Sequence, residues 1–101
     1  MLNFKNIVGF DWDTGNIDKI QSRHNVDKLE VEQAFFNGAL LEYDKEHSQG
    51  ETRVKAWGVT DKISHLMIVI TLRKNRIRPI SARDMSKKER KKYHDKIKES
   101  T

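Results

Sequence analysis

Residues 65–72, with the sequence HLMIVITL, constrain the fold of this chain more than any other segment. Odd-numbered and even-numbered positions are both largely apolar, so a strand formed here must be covered on each face. The uninterrupted apolar stretch inside it, Leu66 to Ile70, is far shorter than the roughly 20 residues that a membrane-spanning helix needs. We therefore expect a central β-strand within a sheet, and no segment that enters a membrane.

Two segments on the N-terminal side of this strand predict neighbouring strands. Residues 52–59, TRVKAWGV, alternate in polarity, with Arg53, Lys55 and Trp57 on one face and small apolar residues on the other. Residues 39–44, ALLEYD, predict another strand just before a polar hairpin loop. Each of these strands is expected to bury one face.

Two further segments complete the predicted sheet. Residues 76–83, RIRPISAR, follow the central strand through a tight turn, and Pro79 has no N–H to donate, which favours a sheet edge or a bulge. Residues 3–13, NFKNIVGFDWD, alternate and predict an additional strand that places Phe10 and Trp12 in the core.

Three segments predict helices. A short helix follows Asp13 and ends near Asn25, a residue type suited to the left-handed position after a helix. The other two begin with capping boxes, in which a short polar side chain and a glutamate three residues later bond each other's backbone N–H groups. These boxes are Asp27 with Glu30 and Ser86 with Glu89. The last helix presents Tyr93 and Ile97 for docking.

The predicted order of elements is therefore β-α-α-β-β-β-β-α. This is an α+β fold, an antiparallel sheet of about four to five strands with two N-terminal helices and one basic C-terminal helix. The length of 101 residues suits a single domain over residues 1–101.

Positive charge is concentrated in one part of the chain. The formal net charge is +5, yet residues 73–98 hold 12 lysines and arginines against three acids, which leaves the remainder of the chain negative. A segregated basic patch attracts polyanions, whereas most charge runs are only solvated helix faces. We favour polyanion binding because the basic run begins on the strand before the helix.

Several chemistries are excluded or disfavoured by residue content. The chain has no cysteine, which removes disulfides, zinc–thiolate sites and thiol nucleophiles. Phosphate-binding glycine loops and nucleophile-elbow motifs are absent, and the acids fall mainly at predicted caps and turns. The four histidines show no ligand spacing: His24, His47, His65 and His94. We expect neither a metal nor a cofactor, and the absence of a secretion signal predicts a cytoplasmic protein.

The remaining functional groups suit RNA cleavage without a metal. That reaction needs a base for the 2′-hydroxyl proton, cations that hold the charge of the phosphorane, and a donor for the leaving 5′-oxygen. Guanidinium groups fit the second role because their planar fork binds two phosphate oxygens at once. From the residues alone, we expect a small basic α+β domain that holds RNA, with groups suited to cutting it without a metal.

Two segments resemble the signatures of a known family. FDWDTGNIDKIQSRHNV, residues 10–26, resembles the opening of BrnT-type toxins of bacterial type II toxin–antitoxin systems, F-E-W-D and then K-H-G-V before a second helix. RIRPISARDMSKKERKKYHD, residues 76–95, matches the closing I-R-x-I-S-A-R strand and E-R-x-x-Y helix. Asn16, Ile20 and Asn25 replace the usual lysine, asparagine and glycine, which leaves the role of the first helix open.

The resemblance implies a RelE-like fold and a ribonuclease that arrests translation in the bacterial cytoplasm. It also implies neutralisation by a BrnA-type antitoxin with a dimeric ribbon–helix–helix part, so that operator DNA is bound only through the antitoxin. A dimeric antitoxin is consistent with a 2:2 toxin–antitoxin assembly.

The last predicted strand supplies the first candidate site residues. Arg83, in the family's S-A-R motif, is our first choice for phosphate, although it can instead bridge Asp84 or another surface acid. Ser81 is a candidate hydroxyl donor or a small packing residue. Arg76 and Arg78 point to one side of the strand, and we expect one to serve RNA and the other to be solvated.

The preceding strand and the helices supply the others. Arg53 is a further candidate cation, and with Lys55 and Trp57 it can form a surface on which a base stacks, unless Trp57 belongs to the core. His24 is the candidate base or a structural histidine. Tyr93 packs the last helix and can extend its hydroxyl to the site. A platform for polyanions, or for an acidic antitoxin segment, is formed by Lys87, Lys88, Arg90 and Lys91.

Two other classes of function remain open. A binding module would hold nucleic acid or an acidic partner on the same surface without cutting it, and would leave RNA whole under all conditions. A structural dimerisation protein would not retard RNA at low salt.

Overall fold

The structure, a computed structural model, describes residues 6–46, 48 and 50–99. His47 lies outside them. Three helices and four strands follow one another in the order α1 (Thr14–His24), α2 (Lys28–Phe36), β1 (Leu40–Tyr43), β2 (Val54–Val59), β3 (His65–Arg73), β4 (Arg76–Asp84) and α3 (Lys87–Glu99). The predicted α+β class, the two N-terminal helices and the C-terminal helix are confirmed.

The four strands form an antiparallel sheet in the order β1-β2-β3-β4. β3 is an interior strand, and most of its residues are buried, as its two-sided apolar pattern predicts. Lys74 and Asn75 both have positive φ, 52° and 62°, and form the tight turn to β4.

The predicted N-terminal strand is wrong for residues 6–13, which form no full strand, and residues 3–5 lie outside the described part of the chain. Phe10 makes one isolated parallel bridge to Ile77, in which Ile77 N donates to Gly9 O and Asp11 N donates to Ile77 O. The next bond of such a ladder would need an N–H from Pro79, which proline lacks. Asn16 supplies the missing donor instead, because its Nδ2 bonds both Asp11 O and Pro79 O at 3.0 Å. The pairing therefore ends after one bridge.

The cap signals are confirmed at all three helices. Asp13 caps α1 in a box with Asn16, and Asn25 ends that helix with φ 54° in the left-handed region. The other two boxes form as predicted, Asp27 with Glu30 at α2 and Ser86 with Glu89 at α3.

The core lies between one face of the sheet and the first two helices. Ile20 of α1 and Val31 of α2 pack there with strand residues such as Ile68 and Ala82. Phe10 and Trp12 pack against this core while partly buried. The opposite face of the sheet, which we call the outer face, is the one on which the odd-numbered residues of β2 and β3 lie.

A β-bulge in β4 decides which of its side chains reach the outer face. Val69 pairs with Ser81, whereas Ile70 pairs with Pro79, so one extra residue enters β4 between them. Without it, Arg78 and Ser81, three positions apart, would point to opposite faces. With it, Arg78 pairs with Thr71 and shares the outer face with Ser81 and Arg83.

Candidate functional site

Side chains from three strands form rows across the outer face. Cross-strand partners lie on the same face of a sheet, so the pairing register alone defines these rows. One row is Trp57, Met67 and Arg83, and the next is Lys55, Val69 and Ser81. The register thus brings five of the predicted RNA-contacting side chains onto one surface: Lys55, Trp57, Arg78, Ser81 and Arg83.

A cavity of about 250 Å³ opens where α1 passes the bulge of β4, and we call it the basic cleft. Arg53, Arg78 and Lys19 line it, together with Glu51 and the first turn of α1. Arg53 and Arg78, predicted separately, therefore share one site. Lys19 is a cation that the sequence reasoning missed, since its helix contains no motif that points to the sheet.

Acidic groups partly neutralise the cleft. Arg78 Nη1 lies 2.9 Å from Asp13 Oδ2 and 3.5 Å from Asp11 Oδ1, and the Arg78 side chain is only 17% exposed. The pKa of Asp13 is lowered, first by its hydrogen bond from the Asn16 backbone N–H and then by Arg78. Arg53 has only a weak contact, 3.8 Å from Nε to Glu51. Arg53 Nε and Arg78 Nη1 are both buried without a hydrogen bond in the described part of the chain. Arg53 is the less committed cation because its ion-pair contact is the longer one.

Arg83 lies at the other end of the outer face and is held by Glu89. Arg83 Nη1 and Nη2 donate to Glu89 Oε1 and Oε2 at 2.7 and 2.9 Å, a two-pronged ion pair. This contact lowers the pKa of Glu89 to about 2 and raises that of Arg83. Glu89 also accepts from Ser86 N, so one carboxylate caps α3 and fixes Arg83. The surface acid that bridges Arg83 is therefore Glu89, not Asp84.

A pair of histidines lies beside Arg83. The Nε2 atoms of His65 and His94 are 3.1 Å apart, and the ring of Tyr93 packs edge-on against His65 with centroids 6.0 Å apart. Burial lowers the pKa of His65 and raises that of Tyr93. No spacing signal indicates this pair, because its members are 29 residues apart and meet only when α3 folds back onto β3.

A second cavity, about 270 Å³, lies next to this pair. His65, Arg90, Asp84 and Ser64 line it, and Met85 forms part of its wall. Arg90, predicted as part of the basic platform, is thus placed beside a histidine ring, not only on a solvated helix face.

The other candidates lie at the margins. His24 is the exposed last residue of α1 and lines neither cavity. Arg76 is exposed at the turn that opens β4. The exposed surface of α3 carries Lys87, Lys88 and Lys91. Trp57 is half-buried on the outer face.

The described residues contain neither a metal-binding cluster nor a membrane helix. In residues 6–46, 48 and 50–99, no group of three or more His, Asp or Glu side chains is arranged to hold a metal ion. Among the helices of the same residues, none has the length and apolarity required to cross a membrane.

Comparison with known proteins identifies the family. No curated protein matches the chain as a relative. One family model does match, over residues 12–89, and it describes the ribonuclease toxin BrnT of type II toxin–antitoxin systems. The matched region contains the basic cleft, the outer face and the Arg83–Glu89 ion pair. The chain therefore belongs to the BrnT family of ribonuclease toxins.

Proposed function

We propose that this protein is a metal-independent endoribonuclease that cuts single-stranded RNA along its outer face. The observation that carries the proposal is the placement of Arg53, Arg78 and Arg83 around one surface that also presents Ser81 and Trp57. Such cations hold the extra negative charge that a phosphodiester gains when it is attacked, which is the largest single contribution to many hydrolytic and transfer reactions.

The size of the surface fits an extended strand of RNA. Arg78 and Arg83 are five residues apart on β4, or about 16 Å at the usual rise per residue. A chain of nucleotides along β4 would place successive phosphates near the basic cleft and near Arg83. Trp57, next to Lys55 on β2, supports one stacked base between them.

The biological role that we propose is arrest of translation in the bacterial cytoplasm, by a RelE-like toxin domain. Its partner is an antitoxin, as for the family, and we propose that it is BrnA-type with a dimeric ribbon–helix–helix part, assembled 2:2 with the toxin. The antitoxin would cover the outer face and the lysines of α3. An in vitro translation reaction with and without the product of the adjacent open reading frame tests this role, because rescue requires that partner.

One observation favours a second candidate, a module that binds nucleic acid without cutting it. Arg78 and Arg83 are each already paired with carboxylates, Arg78 with Asp13 and Arg83 with Glu89. A paired guanidinium gives less stabilisation to a new negative charge than a free one. Cleavage assays separate the two candidates, whereas binding assays do not.

The test is a cleavage assay in EDTA with single substitutions. Wild type is expected to cut single-stranded RNA, and Arg83→Ala and Arg78→Ala are each expected to slow cutting by about 10²-fold or more. Lys28→Ala, which removes one exposed positive charge from α2 on the opposite side of the sheet, is the matched control and should cut normally. RNA that is bound but left whole by wild type, with and without ribosomes, would support the binding module.

A further inference from the structure

The two histidines meet through their Nε2 atoms. His65 Nε2 lies 3.1 Å from His94 Nε2, so one ring donates a proton to the other. His65 is buried on β3, whereas His94 is exposed on α3.

One tautomer of the pair leaves a nitrogen of His94 available as a base. In it, His94 Nε2–H donates to His65 Nε2, and neutral His94 carries its lone pair on Nδ1. Nδ1 of His94 makes no hydrogen bond within the described residues. In this tautomer His65 orients His94 as a third group orients the base of a catalytic triad.

The pair lies within reach of a phosphate held by Arg83. Met67 faces Arg83 across the ladder, and His65 lies two residues before Met67 on the same face. Such diagonal neighbours have Cβ atoms about 7–8 Å apart. The side chain of Arg90 lines the same cavity as His65 and adds a second cation.

The surroundings of His65 favour its neutral form. Burial lowers its pKa first, and the positive charge of Arg90 and the His94 ring lower it further. Tyr93 and His94 face His65 from α3, and Asp84 of β4 lines the cavity with it. A neutral imidazole has one ring nitrogen with a lone pair, which is the acceptor that His94 Nε2–H needs.

Building on the proposed ribonuclease function, we propose that His94, oriented by His65, is the general base that takes the 2′-hydroxyl proton of the scissile nucleotide. The 2′-oxygen attacks the phosphorus as His94 Nδ1 receives its proton, and the bond from phosphorus to the 5′-oxygen breaks. The 5′-oxygen takes a proton from solvent water, and His94 returns its proton to solvent. The products are a 2′,3′-cyclic phosphate and a 5′-hydroxyl, and no other reactant is consumed.

The experiment is single-turnover cleavage of single-stranded RNA in EDTA by wild type, His94→Ala and His24→Gln. His94→Ala is expected to lose 10²- to 10⁴-fold in rate while its RNA affinity stays within about two-fold of wild type. Added imidazole, which can occupy the space of the missing ring, should restore part of the rate. His24→Gln tests the other candidate base: a rate that falls in His24→Gln and not in His94→Ala would overturn the inference.

A second measurement addresses the positioning role of His65. His65→Gln keeps an acceptor for His94, so we expect it to fold, to bind RNA, and to shift the acidic limb of the pH–rate profile. If the role of His65 were purely structural, His65→Gln would change the stability of the protein and leave its pH–rate profile unchanged. His94→Ala that cuts at the wild-type rate, or shows no imidazole rescue, overturns the inference while leaving the ribonuclease intact. A wild type that never cuts overturns the proposed function itself.

Discussion

At Gly58, α2 and the sheet approach each other closely. A Cβ atom at this position would lie 2.6 Å from the carbonyl oxygen of Ala34, a backbone atom that cannot rotate away. We expect Gly58→Ala to lower the free energy of unfolding by about 1–3 kcal/mol, because α2 must shift outward. Urea denaturation measures this change, and a variant as stable as wild type would show that α2 is not packed against β2 as described.

Glu89 predicts a defined response to acid. Its pKa in the folded protein is about 2, below the ordinary value of 4.5, so the ionised carboxylate stabilises the fold above about pH 4.5. That contribution is lost as the pH falls from about 4.5 towards 2. Glu89→Gln should reduce stability by about 1 kcal/mol at pH 6, with the difference from wild type shrinking below pH 4.

Urea denaturation at pH 6 and pH 3 checks this window, with Glu99→Gln as the control for a charge lost from the same helix. An equal loss of stability by Glu89→Gln at both pH values would contradict the ion pair, since at pH 3 the carboxyl is protonated in the unfolded chain and part of the stabilisation is lost.

At the residue scale, sequence reasoning succeeded where structure follows from a local signal. Asn25 at a left-handed position and Glu89 in a capping box were both visible from neighbours in the chain. The same reasoning assigned Glu89 only a capping role, because its contact with Arg83 depends on the angle at which α3 leaves β4. Lys19 and the histidine pair had no local signal, since their partners come from distant elements.

The contact of α1 with β4 depends on one side chain. Asn16 is 5% exposed, and its amide donates to the carbonyls of Asp11 and Pro79. Asn16→Ala should cost about 2 kcal/mol, since it leaves two carbonyls without donors beside the basic cleft. Gln21→Ala, at an exposed position of the same helix, is the control.

Hydrogen exchange of the Asp11 and Ile77 amides provides the measurement. Both amides take part in the single bridge between the N-terminal segment and β4, and they should exchange faster in Asn16→Ala than in Gln21→Ala. Equal exchange in the two variants would show that Asn16 does not hold this contact.

At the element scale, strands and helices were predictable because their apolar periods are strong. The proline of β4 indicated an edge or a bulge, and the structure contains the bulge. The pairing register of β4 with β3 was not predictable, because it depends on where the extra residue is inserted. For the same reason, the sequence did not indicate that Arg78 and Ser81 share a face. Asn16, a departure from the family pattern, is explained only by the missing N–H of Pro79.

Charge is distributed unevenly over the whole molecule, with the basic excess on β4 and α3. Replacing Lys87, Lys88 and Lys91 with alanine should weaken RNA binding. It should also make the plot of log binding constant against log salt concentration less steep by about 2, because each phosphate contact on a single strand contributes roughly 0.7 to that slope. The cleavage rate at saturating protein should not change, because these lysines lie on the exposed surface of α3.

The control is a triple variant with alanine at three exposed lysines elsewhere, Lys28, Lys45 and Lys62. It loses the same charge and should keep the wild-type salt dependence. A cleavage rate that falls with the α3 lysines while the salt dependence stays constant would instead place them in the chemistry.

At the scale of the molecule, the polarised charge is readable from the amino-acid sequence, and it indicates a polyanionic ligand. The amino-acid sequence does not indicate that the basic surface is divided into the basic cleft and the region around Arg83. That division arises from the sheet register, which separates Arg78 from Arg83 while keeping both on the outer face.

The most direct test of the central claim is incubation of purified protein with end-labelled single-stranded RNA in EDTA, followed by analysis of the new ends. The account predicts cleavage without added metal, ends that are 2′,3′-cyclic phosphates, and no cutting at a position that carries a 2′-deoxyribose. RNA that stays intact in EDTA and is cut only after Mg²⁺ is restored would contradict it.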